Sequence, residues 1–189
     1  MSATALLQRH ARVVLVLIAL VCLASVGGAL YAQHVWGMEP CPWCILQRVL
    51  YLAIALVALL AAAMPVGSTG RLSAALSALL VSALGLTGAA AALYQNLVAA
   101  KLPSCDMTLA DRIISGLGLD AWQPEVFEVR SSCADAAVSL LGVPFELWSC
   151  ALFTLVAVLA AWLVRAAFAP DLGGSVPRAR GVAGRETGA

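Results

Sequence analysis

The sequence predicts an all-α integral membrane protein, a four-transmembrane-helix bundle with a long outer loop between helices 3 and 4. Of its 189 residues, 62% are hydrophobic and only 11% charged, against about 25% charged in a soluble globular domain. A water-soluble fold could not hide that much apolar surface. Four uncharged or nearly uncharged runs, 13–33, 45–64, 72–98 and 147–169, are each long enough to cross a hydrocarbon core of about 30 Å at about 1.5 Å per residue. The stretch between the third and fourth runs, 99–146, is far longer than a connector needs to be, and loops of that kind are functional or disordered. The length suits one compact redox domain over 1–170, followed by a tail, 171–189, rich in Gly, Arg and Ala and predicted to be disordered. A formal net charge of +1 gives no reason to expect nucleic acid as a partner. Membrane lipid is the solvent.

The first run follows Arg9 and Arg12 and carries small residues at Ser25, Gly27, Gly28 and Ala29, features shared with a cleaved signal peptide. It continues uncharged through Tyr31, long enough to span, and retention as the first helix is expected. Ala24, Gly28 and Ala32 recur every four residues and predict a close helix contact. In the short connection that follows, Pro40 and Pro42 are expected to end helical continuation and hold the backbone extended, pinning Cys41-Pro42-Trp43-Cys44 at the bilayer surface. The second run holds Arg48 near its start, where a long side chain can snorkel. Pro65-Val66-Gly67-Ser68-Thr69-Gly70 reads as a compact turn, making spans two and three antiparallel neighbours.

In the third run, Ser77, Val81, Gly85 and Ala89 repeat the four-residue spacing of a helix contact. Within the outer loop, Leu109, Ile113, Ile114 and Leu117 recur at helical spacing beside Asp111 and Arg112, predicting a short amphipathic helix. Trp122, Val126, Phe127 and Val129 form a second apolar group broken by Pro124. Such segments either lie in the headgroup layer or cover the tops of the spans. The fourth run ends near Arg165, another residue placed to snorkel.

Orientation follows from the basic residues. With the N-terminus inside, Arg9, Arg12, Arg71, Arg165, Arg178, Arg180 and Arg185 are cytoplasmic, leaving Arg48, Lys101, Arg112 and Arg130 outside. Arg48 sits within a span and the other three on a long loop that counts weakly, so the positive-inside rule favours two cytoplasmic termini. Cys41, Cys44, Cys105 and Cys133 then share the external face, a compartment that permits disulfides.

A close CxxC is suited to thiol–disulfide exchange, and a second pair able to reach it makes an electron relay. Thiolate performs exchange, and Cys44, at the start of the second span, meets free backbone N–H groups and the positive end of the helix dipole. Arg48, four residues on, lies on the same face one turn deeper, able either to stabilise an anion beside Cys44 or to snorkel to headgroups. A static Cys105–Cys133 disulfide would contribute about 3 to 4 kcal/mol on a chain-entropy model, but it leaves the CxxC unexplained. Zinc is disfavoured, because Cys105 and Cys133 are too widely spaced for a second ligand pair and His10 and His34 complete no cluster. Cys22 and Cys150 lie inside spans and read as packing. Four outer cysteines allow three full pairings, with a rearranged Cys41–Cys105 bond open during turnover.

Cys41-Pro42-Trp43-Cys44-Ile45-Leu46-Gln47-Arg48 resembles the signature of the DsbB family of bacterial inner-membrane disulfide bond formation proteins. Ser104-Cys105-Asp106, Trp122-Gln123-Pro124-Glu125-Val126-Phe127 and Ser132-Cys133-Ala134-Asp135 are similar to that family's loop, and the likeness runs from about Val13 to Ala169. The resemblance implies an enzyme in the bacterial inner (plasma) membrane that reoxidises a soluble periplasmic thiol oxidase, DsbA, and passes two electrons to membrane quinone, ubiquinone or menaquinone. It implies that the outer loop is periplasmic, and that Cys105 and Cys133 form a disulfide attacked by the reduced partner at Cys105. Cys41 and Cys44 would then reoxidise that pair, with Cys44 meeting the quinone and Arg48 beside it. DsbA is a strong oxidant at about −120 mV, so its regeneration needs an acceptor that pulls electrons onward.

The chain departs from some family members at Gln47, where they have an acidic residue, and at Tyr94-Gln95-Asn96, where they have a histidine. No proton-transfer role carries over to those positions. A non-catalytic four-span scaffold with structural disulfides is the competing class. A vitamin K epoxide reductase-like enzyme is a further alternative, but here the CxxC precedes the second span and the other cysteines follow it, an order that fits the DsbB arrangement better.

Overall fold

The computed structural model describes residues 3–64, 68–102 and 107–168. Pro65, Val66 and Gly67 of the inner turn, Ser104, Cys105 and Asp106 of the long loop, and the tail 171–189 lie outside the described residues. In chain order the elements are α1 (Ala3–Trp36), α2 (Pro42–Ala63), α3 (Ser68–Leu97), a 3-10 turn (Ala99–Lys101), α4 (Leu109–Gly116), α5 (Leu119–Trp122), α6 (Pro124–Phe127), β1 (Ser139–Leu140), β2 (Val143–Pro144) and α7 (Phe145–Phe168).

The expected all-α, four-span architecture is present. His10–Trp36, Pro42–Ala63, Leu72–Lys101 and Phe145–Phe168 are long and apolar enough to cross a membrane. Polarity is distributed as in a protein dissolved in lipid: Leu17, Leu56, Leu76, Leu86 and Val158 are exposed, whereas Gln33, Gln47, Arg48, Ser82, Gln95 and Glu146 are buried. Hydrocarbon offers those groups no partners, so they turn inward to find them.

Helix α3 packs chiefly against α7, and α2 stands between α1 and α3. The small residues of α3 are used as expected. A Cβ on Gly85 would stand 3.1 Å from Ala157 Cβ and from the Phe153 carbonyl oxygen, and one on Gly88 would meet the Phe153 ring. Ser82 Oγ donates to the Ala157 carbonyl at 3.1 Å. Phe153 stacks on Tyr51 of α2 with ring centroids 3.9 Å apart, tying three helices together.

The small residues of α1 behave differently. Ala24 and Gly28 are exposed, a Cβ on Gly28 would meet nothing within 4 Å, and of that set only Ala32 is buried. The buried face of α1 is Leu15, Ile18, Ala19, Cys22 and Val26, the spacing of one helical stripe. Small residues permit close approach only on the side that meets another helix, and α1 turns larger side chains that way.

The start of α2 also corrects an expectation. Pro42 is the first helical residue and the extended backbone ends at Cys41, with φ −88° and ψ 169°. A first-turn N–H has no intrahelical partner, so proline costs nothing there and its fixed φ suits the helix.

Helix α4 forms where its periodicity places it, opened by a capping box in which Thr108 Oγ1 accepts from the Asp111 N–H and Asp111 Oδ2 accepts from the Thr108 N–H. Its inner face covers the end of α2, where Ile45, Ile114 and Phe127 form a small apolar cluster. Leu109, Leu117 and Trp122 remain exposed, so the segment both covers a span and keeps an apolar outer side. Pro124 breaks the second apolar group into α5 and α6. The hairpin β1–β2, paired Ser139↔Pro144 and Leu140↔Val143, has no counterpart in the sequence reading. Its two turn residues, Leu141 and Gly142, both take positive φ, as a tight two-residue hairpin requires.

Candidate active site

Helix α2 begins under two sulfurs. Cys41 is its N-cap, and Cys41 Sγ accepts from the Cys44 N–H at 3.3 Å. The Trp43 N–H hydrogen-bonds to the sulfur of Cys133, which arrives from the long loop. First-turn N–H groups lack intrahelical partners and carry the positive end of the helix dipole, so they favour sulfur with thiolate character. The loop is brought there by backbone: the N–H groups of Arg130 and Ser131 both donate to the Pro40 carbonyl, at 3.0 and 3.3 Å.

Three sulfurs thereby meet. Cys41 Sγ lies 2.8 Å from Cys44 Sγ and hydrogen-bonds with Cys133. Exchange requires a thiolate to reach a sulfur of a disulfide, and Cys41, in contact with both neighbours, is the sulfur through which a bond can pass between loop and helix. Among the described residues, the loop sulfur at Cys41 is that of Cys133. Cys105, named in the sequence reading both as a loop-pair member and as a rearrangement partner of Cys41, lies outside the described residues.

The two contacting thiols are inequivalent. Cys41 is pushed above the ordinary thiol range, first by its hydrogen bonds with Cys133 and Cys44 and then by burial. Cys133 is held below that range because it accepts from Cys41, helped by the Trp43 N–H and opposed by burial. Thiolate character is therefore favoured at Cys133 over Cys41.

Arg48 is only 5% exposed. Its Nη1 donates to Gln33 Oε1 at 2.7 Å and to the Val126 carbonyl at 2.9 Å. Gln33 Nε2 in turn donates to the Glu125 carbonyl at 3.2 Å. The guanidinium thus clamps α6 to the ends of α1 and α2, and it lies close enough to Cys44 and Cys41 to interact with both electrostatically. Snorkelling into the headgroups does not describe it.

A second polar chain reaches Cys44 from α3. Gln95 Nε2 donates to Cys44 Sγ at 3.2 Å, and Gln47 Nε2 donates to Gln95 Oε1 at 2.7 Å. Nearby, Asn96 Nδ2 donates to the buried carboxylate of Glu146 at 2.8 Å. Among the described residues the buried indole N–H of Trp43 has no hydrogen-bond partner, and its ring lies 4.6 Å from that of Tyr94, which is exposed on α3. Sequence reasoning gave none of Gln33, Gln95, Asn96 or Glu146 a contact. The available signal was an amide or carboxylate at the end of an apolar run, where burial without a partner would be costly. Cys22 is buried and Cys150 half-buried among apolar neighbours, as expected of packing residues.

Residues 11–163 match the family model for disulfide bond formation protein DsbB. The chain belongs to the DsbB family. Among its relatives are disulfide bond formation protein B 1 of Pseudomonas savastanoi pv. phaseolicola, 39% identical over 84% of this chain and 92% of the relative, and the protein of the same name from Pseudomonas putida, 39% identical over 82% and 90%. Disulfide bond formation protein B of Burkholderia pseudomallei is 37% identical over 79% of this chain and 87% of its own. Membership in the DsbB family, together with four membrane-spanning helices, makes this a multi-pass membrane protein with a disulfide-forming redox role.

Proposed function

We propose that the chain is a protein-disulfide:quinone oxidoreductase of the bacterial inner membrane, which reoxidises a periplasmic DsbA-type dithiol protein and passes the electrons to ubiquinone or menaquinone. Residues 1–170 act as its redox unit, with both termini cytoplasmic and Cys41, Cys44, Cys105 and Cys133 periplasmic. The observation that carries the reading is the contact of Cys41 with both Cys44 and Cys133.

Exchange along those sulfurs balances. A thiolate of the reduced partner attacks Cys105 of a Cys105–Cys133 disulfide, forming a mixed disulfide and releasing Cys133 as thiolate. Cys133 attacks Cys41, so a Cys133–Cys41 bond forms, the Cys41–Cys44 bond breaks, and Cys44 leaves with the electron pair. The partner's second thiolate then closes its own disulfide and frees Cys105, which attacks Cys133 and releases Cys41. The partner is oxidised, the loop pair restored, and two electrons rest on Cys41 and Cys44.

A bound quinone supplies a two-electron, two-proton acceptor. Cys44 and Arg48 are the residues that would hold it. The site suits a flat ring bearing two carbonyl acceptors: the Trp43 indole N–H is a buried donor unsatisfied among the described residues, and the Trp43–Tyr94 ring pair lies beside Cys44. Arg48 keeps a positive charge near the sulfur, and the surrounding apolar helices exclude water.

A structural scaffold with inert disulfides makes the opposite prediction in a trapping experiment. With Cys133→Ala, the resolving sulfur is gone, and a partner linked at Cys105 is expected to accumulate on non-reducing gels. Absence of any linked protein would favour the scaffold.

A further inference from the structure

Cys44 is the sulfur that must leave when the Cys41–Cys44 bond is opened, and a leaving thiolate needs donors. One is supplied from another helix. Gln95 is only 4% exposed, and its Nε2 stands 3.2 Å from Cys44 Sγ. A primary amide is two-ended, and rotating it by half a turn would present the carbonyl oxygen to the sulfur and repel a thiolate. Gln47, on the same helix as Cys44 and equally buried, prevents this by donating to Gln95 Oε1 at 2.7 Å. Two amides in a dry site thus fix the sense of one hydrogen bond.

We propose that Gln95 is a further catalytic residue, whose amide N–H holds Cys44 as the leaving thiolate, and that Gln47 is the positioning residue that keeps this N–H aimed at the sulfur. The inference rests on the exchange reading above. In the step concerned, Cys133 gains a bond to Cys41, Cys44 takes the electron pair of the broken bond, and Gln95 keeps its proton throughout. The donor is neutral, so the contact does not titrate. The charged and titratable groups that act on the sulfurs here are Cys41, Cys133 and Arg48, with Asp111 acting on Cys133.

The test uses the full-length protein in lipid nanodiscs with Cys41→Ser to free Cys44, and reads the rate of Cys44 alkylation by iodoacetamide with peptide mass spectrometry. Neither partner nor quinone is required. Loss of a hydrogen bond to an anion predicts that Gln95→Leu slows alkylation at neutral pH by about tenfold or more. Gln47→Leu slows it less, and the double variant is no slower than Gln95→Leu alone, because Gln47 acts only through Gln95. Gln95→Glu keeps the volume and adds a signature: relative to its parent, its rate recovers as pH falls and the carboxyl gains a proton to donate. That variant decides the matter if Gln95→Leu fails to fold. Parental rates for Gln95→Glu across the pH range, or additive effects of the Gln47 and Gln95 changes, would overturn the proposal. The predicted alkylation pattern in the Cys41→Ser series, found together with no quinone-dependent turnover by the wild-type protein, would refute the exchange reading alone.

Discussion

Replacing Arg48 by Met keeps the apolar stem and removes the clamp between the long loop and the first two spans. The guanidinium makes two short contacts to neutral acceptors, 2.7 Å to Gln33 Oε1 and 2.9 Å to the Val126 carbonyl. Hydrogen bonds from a charged donor contribute about 1.5 to 3 kcal/mol each. Their sum is an upper bound, because both arise from one nitrogen and because deleting a buried cation also removes its desolvation cost. One such bond's worth, about 2 to 3 kcal/mol, is a fair net for docking of α6, and corresponds to roughly 30- to 150-fold in the population of the undocked loop. Amide hydrogen exchange in nanodiscs reads this directly. The N–H groups of Phe127 and Glu128, bonded to the Gln123 and Pro124 carbonyls, should exchange faster by about that factor, while those of α7 stay as they are. Unchanged exchange in α6 would refute the clamp and leave Arg48 acting on Cys44 alone.

The opposite shifts of Cys41 and Cys133 set an order of labelling in the reduced protein. The Cys133 value is depressed, so its thiolate persists below the ordinary thiol range of about 8.5, whereas Cys41 stays protonated above it. At neutral pH, iodoacetamide should modify Cys133 before Cys41, and the order is wrong if Cys41 reacts first. Packing gives a contrasting pair: Gly88→Leu drives a side chain into Phe153 and should lower the unfolding midpoint, overpacking costing about 1 to 3 kcal/mol. Gly28→Ala, in open space within α1, should not lower that midpoint. Cys22→Ala and Cys150→Ala should retain turnover, since both sulfurs sit among apolar neighbours.

Apolar runs long enough to span, and a loop periodicity of 3.6, were legible because lipid and helix geometry impose them on the sequence. The four-residue stripe on α3 was legible for the same reason, but the like stripe on α1 was misleading. Spacing identifies a smooth helix face and says nothing of which face meets a neighbour. Pro42 looked like a barrier to the helix and is its first residue, a distinction of one position that propensity does not resolve. The meeting of Cys41 with Cys133 was one of several allowed arrangements, and it depends on Arg130 and Ser131 pairing with the Pro40 carbonyl, a long-range contact without a local signal. Gln47 and Gln95 stood out in the sequence only as departures from a family pattern. Their role is visible once two helices bring them together at Cys44.

Reduced DsbA-type protein, mixed with the purified chain in anaerobic lipid nanodiscs, provides the most direct measurement, with partner disulfide and quinol counted together. Electron transfer through Cys44 to quinone predicts one quinol for each disulfide formed, no turnover when quinone is omitted, and none with Cys44→Ser. Sustained oxidation by Cys44→Ser, or by wild-type protein without quinone, would contradict it.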